Sequence, residues 1–158
     1  MPNQRDSVGL EGLMAGRMFT RVLVGFDGSA SAQHALRLAL RLAADAGHGE
    51  VVALAVVPAS RAETEGGRRR AEEATREELE RGYAEATAGV DPDNSRLRIV
   101  EGRQVAETLA GYAEEHGFDL VVLGRHGVEG ALHPHVGHIT ETLVRNERLA
   151  ILLAAEPR

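Results

Sequence analysis

The chain reads as an α/β protein, a three-layer sandwich in which a parallel sheet is covered by helices on both faces. Three observations predict this. Short apolar runs alternate with stretches of helical periodicity from about residue 19 to the end. Several of those runs are apolar at every position, as strands buried on both faces must be. The two turns with chemical character, after Phe26 and after Leu123, both leave the C-terminal ends of strands, where ligands bind in such sheets.

Each element follows from its residues. RVLVGF (21–26) is the first apolar run; Asp27 and Gly28 turn the chain, and Ser29 or Ser31 is placed to cap a helix. From Ala30 to Ala46 the polar residues Gln33, Arg37, Arg41 and Asp45 recur every four positions. Leu36, Leu38, Leu40, Leu42 and several alanines fill the rest, which predicts a helix with a broad buried face, ended by Gly47 and Gly49. EVVALAVV (50–57) is apolar on both sides and reads as a central strand.

Residues 61–88 are heavily charged, and Arg69/Glu73, Glu72/Arg76 and Glu77/Arg81 have the i,i+4 spacing of helical neighbours. The arginine run 68–70 therefore reads as a solvated helix face balanced by the glutamates after it. PDNS (92–95) is a turn, and RLRIVE (96–101) alternates like a strand exposed on one side. Val105, Leu109, Tyr112 and Ala113 mark a third helical stripe closed by Gly117. DLVVLG (119–124) is a buried strand. After a glycine loop come a short helix, from about Gly137 to Asn146, and a last strand, LAILLA (149–154).

Composition narrows the function. One domain is expected over residues 19–156, preceded by a loose, flexible extension over 1–18. That extension lacks the apolar central block of a signal peptide, and Met14 or Met18 could be alternative starts. Apolar residues make up 43% but aromatics only 3%, so the core must be built from Leu, Val, Ile and Ala. There is no cysteine, which excludes disulfides and thiol nucleophiles and fits a reducing, cytoplasmic location.

No apolar run approaches the ~20 residues that span a bilayer, and the net charge of −6 argues against a nucleic-acid partner. There is also no lysine: all 18 basic residues are arginine. A Walker A loop ends in Gly-Lys-Ser/Thr, so a P-loop NTPase is excluded, as is Schiff-base chemistry.

The stretch GRHGVEGALHPHVGH (124–138) carries the clearest functional signal. Gly124 and Gly127 leave a buried strand and Gly137 opens a helix. Glycine admits a close backbone approach, and a helix N-terminus presents unpaired N–H groups, so this arrangement suits phosphate. Zinc or copper could use His126, His133, His135 and His138. No thiol ligand accompanies them in the loop, however, and Pro134 restricts how His133 and His135 could converge, so no metal is expected.

These residues resemble the universal stress proteins, whose nucleotide-binding members carry Gly, two residues, Gly, nine residues, Gly and then Ser or Thr. Gly124, Arg125–His126, Gly127, residues 128–136 and Gly137 reproduce that spacing. RVLVGFDGS looks like the family's first strand and turn, DLVVLGRHG like its fourth strand and loop, and the resemblance runs from about residue 19 to 155. It implies a Rossmann-like sheet of the adenine nucleotide alpha hydrolase type, five-stranded in the order 3-2-1-4-5, in a homodimer paired through the last strand.

It also implies ATP, ADP or AMP lying across strands 1 and 4, with Mg2+ accompanying ATP. Carried over by position, Gly25, Phe26 and Asp27, with Val56, would meet adenine and ribose. Gly124, Gly127, Gly137, Ile139 and Thr140 would meet ribose and phosphates, with Arg125 and His126 inside the motif. One departure stands out: His138 occupies the place of the Ser or Thr. Imidazole can also donate to a phosphate, but it is bulkier than a hydroxyl.

Three readings follow. The first is a cytosolic nucleotide-binding module for stress tolerance or regulation, acting on an unidentified protein partner. The second is a dimeric scaffold of the same fold that binds no nucleotide. The third is an enzyme, a slow ATPase or phosphotransferase, for which the loop offers binding groups but no evident general base.

Overall fold

The computed structural model describes residues 19–47, 49–59, 61, 63–125 and 138–155. In chain order the elements are β1 (Arg21–Gly25), α1 (Ala30–Asp45), β2 (Glu50–Val57), α2 (Glu65–Ala86), a 3₁₀ turn (Pro92–Asn94), β3 (Ser95–Glu101), α3 (Val105–His116), β4 (Leu120–Gly124), α4 (His138–Val144) and β5 (Ala150–Ala154). All strand pairings are parallel and the order is β3-β2-β1-β4-β5, as the resemblance implied.

The sheet has a core on each face because its strands are apolar in both directions. Val22, Val24, Val51, Ala53, Leu120 and Val122 point towards α1 and α2; Leu23, Val52, Leu54, Val121 and Leu123 point towards α3 and α4. Val22, Leu23, Val24, Val51, Val121 and Val122 are wholly buried, and each such side chain contributes roughly 1.5–3 kcal/mol relative to an exposed one. On α1 the facing positions are mostly alanine (Ala32, Ala35, Ala39, Ala43), so this helix lies close on the sheet.

Local signals set the boundaries. Ser29 is the cap of α1, its side chain accepting from the Ala32 N–H at 3.1 Å. Gly47, at φ +76°, and Gly117, at φ +68°, turn the chain after α1 and α3 in a conformation that favours glycine. α2 starts later than its charge pattern suggests, because Thr64 caps it by accepting from the Gly67 N–H. Its ion pairs also differ from the expected ones: Arg69 meets Glu65, Arg68 meets Glu72 and Arg76 meets Glu80. Exposed pairs of this kind are weak, so spacing alone does not choose among neighbouring partners.

Polar groups tie the N-terminal ends of the strands together. Asp119 accepts from the Thr20 N–H, the Thr20 hydroxyl and the Arg21 N–H, at 3.0, 3.2 and 3.0 Å. Glu50 on β2 holds Arg21 of β1 at 3.0 Å and Arg96 of β3 at 2.7 Å. With that end clamped, the C-terminal ends of β1 and β4 are free to serve a site.

Candidate functional site

β1 and β4 are direct neighbours, with Val24 opposite Val122. The connection from β1 goes outwards to β2 on one side, while β4 lies on the other, so the crevice between β1 and β4 is the topological switch point of the sheet. The turn after Gly25 and the loop after Gly124 both start from this crevice. The structure thus brings the end of β1 beside Leu123 and Gly124, where the second segment singled out in the sequence begins.

On the β1 side, Asp27 is exposed, and its Oδ1 accepts from the Ser29 N–H at 3.0 Å. That bond folds the turn into the start of α1. Phe26 behaves differently from its neighbour. Its ring is 3% exposed and packs edge-on against Tyr83, with centroids 6.4 Å apart, while its N–H donates to the Leu54 carbonyl. Any contact from this position to a bound molecule is therefore made by the backbone.

A Cβ at Gly25 would come within 2.6 Å of Leu123 Cδ2, so the end of that side chain would have to move. Val56 is half-buried against the α3 face of the sheet, one residue before β2 ends.

On the β4 side, a Cβ at Gly124 would sit 2.5 Å from the Ser31 hydroxyl oxygen and 2.7 and 2.8 Å from the Ser31 main-chain carbon and oxygen. The first turn of α1 thus rests directly on the end of β4. Arg125 is exposed. His126, Gly127 and Gly137, together with His133 and His135, lie outside the described residues. His138 opens α4 with its side chain exposed, and its carbonyl accepts from the Thr142 hydroxyl at 3.0 Å. Ile139 is 37% exposed, whereas Thr140 is 4% exposed and faces into the fold.

Two features escaped the sequence reading. Gly28 adopts φ +80°, and a Cβ at Gly82 would come within 3.3 Å of the Gly28 main chain, so α2 crosses immediately over the turn beside Asp27. A lone glycine inside a helical pattern was the available signal for such a crossing. Ser31 is buried beneath Gly124 rather than placed as a cap.

As chemistry, the described part of the crevice offers an exposed carboxylate at the end of β1, main-chain groups of the β1 turn, and the start of a glycine loop. A carboxylate acceptor beside main-chain donors and acceptors suits a sugar diol and a base, and a glycine loop suits an anion. Among the described residues no group of three or more His, Asp or Glu is arranged to hold a metal ion. No helix of the described residues is long and apolar enough to cross a membrane.

Comparison with known proteins agrees with this geometry. The model of the universal stress protein family matches residues 18–153. A universal stress family protein from Burkholderia pseudomallei is 33% identical, aligning 86% of this chain with 96% of its own at a TM-score of 0.67. UspA from Lactobacillus plantarum is 26% identical, aligning 85% of this chain with 97% of its own at a TM-score of 0.68. A universal stress protein solved in complex with cAMP is 23% identical over 87% of this chain and 97% of that one, with a TM-score of 0.59, a likeness of fold. No curated protein sequence matches the chain.

Proposed function

Because the chain belongs to the universal stress protein family, we propose that it binds an adenine nucleotide in the crevice between β1 and β4. It then acts as a nucleotide-responsive regulatory module rather than as an enzyme. The observation that carries this reading is the meeting, at the switch point, of the exposed Asp27 turn with the end of β4 where the Gly-x2-Gly-x9-Gly motif begins.

In this reading Asp27 accepts from the ribose hydroxyls, the β1 turn meets the base through its backbone, and the motif glycines hold the phosphates with Mg2+ accompanying ATP. Asp27 belongs to the nucleoside end and already accepts the Ser29 N–H, so it is not aligned as a base for attack on a terminal phosphate. The cAMP complex of a related fold adds a cyclic nucleotide to the ligands worth testing.

The module works as a homodimer paired through β5. This strand is a sheet edge, Leu153 on it is 36% exposed, and Val144 on the preceding helix is 62% exposed. An open apolar edge favours pairing with another strand.

The test is mass spectrometry of small molecules released on denaturing freshly purified protein, followed by calorimetry with ATP, ADP, AMP and cAMP. A released adenine nucleotide, or saturable heat with at least one of the four, supports the reading. No nucleotide and no heat at millimolar concentration would overturn it in favour of the scaffold, the reading that His138 in place of a hydroxyl residue favours.

A further inference from the structure

At the other end of the sheet from the β1–β4 crevice, a cleft of about 520 Å³ opens between the last turns of α1 and α2. That is within the roughly 300–1,000 Å³ of small-molecule sites. Leu40, Ala43, Ala86 and Val90 form an apolar floor, whereas further up α2 the larger Leu79 and Tyr83 fill the same interface.

Arg37 and Arg41 stand over this floor, one helical turn apart on α1. Among the described residues no carboxylate lines the cleft, although the chain carries a net charge of −6. Arg37 makes long hydrogen bonds to uncharged acceptors, the Gln33 side-chain oxygen at 3.4 Å and the Glu85 carbonyl at 3.5 Å. Arg41 makes no ion pair among the described residues.

Nor are the two cleft guanidinium groups taken up by the end of α1, where Leu42 and Ala44 accept from the main-chain N–H groups of Ala46 and Gly47.

We propose that this cleft binds a small anionic amphiphile, an oxyanion head on an aliphatic body, of the class of medium-chain carboxylates. Neighbouring guanidinium groups present fixed forks of donors that match a carboxylate, and the alanine-lined floor takes the hydrocarbon. The site is separate from the nucleotide crevice, so its test stands or falls independently of the function proposed above.

The experiment titrates the full chain by calorimetry with decanoate, decanol and inorganic phosphate. Decanoate should bind with one-to-one stoichiometry, decanol about tenfold more weakly for want of charge-assisted hydrogen bonds, and phosphate alone not at millimolar concentration. The double variant Arg37→Gln/Arg41→Gln should lose about tenfold in decanoate affinity and keep its decanol affinity. Ala44→Leu, at an exposed lining position, should remove binding of both while leaving the circular dichroism spectrum unchanged. Failure of decanoate to bind, equal affinity for decanol, binding indifferent to these variants, or competition by ATP would each overturn the proposal.

Discussion

Replacing Gly124 with alanine should destabilise the fold, whereas the same change at Gly111 should stabilise it. At Gly124 the added methyl would lie 2.7 Å from the main-chain carbon of Ser31, well inside the 3.4 Å at which ordinary contact begins. Ser31 cannot step aside cheaply, because it is in the first turn of α1, and Ala35, Leu36 and Ala39 of that helix are wholly buried. Forcing one extra carbon into such packing costs about 1–3 kcal/mol. For a chain of this length that lowers Tm by roughly 2–12 °C.

Gly111 is exposed in the middle of α3 with nothing within 4 Å of the position of its Cβ. Alanine there should gain about 0.5–1 kcal/mol by removing the conformational freedom of a helical glycine. Urea unfolding of the two variants against the parent chain reads both effects on one scale. A Gly124→Ala variant as stable as the parent would refute the close approach of α1 to β4, and a destabilised Gly111→Ala would refute the open surface assigned to α3.

Leu23→Ala, at a wholly buried position in the α3 face of the sheet, should cost about 2–5 kcal/mol by urea unfolding, and a loss below 1 kcal/mol would contradict the packing there. Under the proposed nucleotide binding, Gly127→Val should abolish ATP binding by calorimetry, because a side chain there would block a close backbone approach to phosphate; retained binding would place the phosphates elsewhere. His138→Ser restores the hydroxyl of the motif and should keep or strengthen ATP affinity, while lost binding would make the imidazole itself a phosphate donor. Leu153→Lys puts a charge on the β5 edge and should convert a dimer to a ~17 kDa monomer by light scattering; an unchanged dimer would move the interface away from β5.

The layering of this fold was legible because period and polarity speak directly to burial. EVVALAVV is apolar at every position except its first, and its alternate residues enter the two cores. Boundaries were less legible, because they depend on single bonds. β3 begins at Ser95 rather than Arg96, and Ser95 is buried with its hydroxyl 2.6 Å from that of Tyr83 on α2, a partner distant in the pattern. Phe26 enters the candidate site through the family resemblance, and it continues the alternation of Val22 and Val24, both on the α1 face. The same period-two rule that built the strand places its ring in the core.

The glycines make the subtler case. At the end of β4 a glycine is required by Ser31 whether or not a nucleotide binds, so Gly124 would fit the motif in an empty scaffold just as well. Matching the first motif position therefore speaks to the packing of α1 on β4. The functional weight of the motif passes to Gly127 and Gly137, and a substitution at Gly127 separates a binding site from a fold that only resembles one.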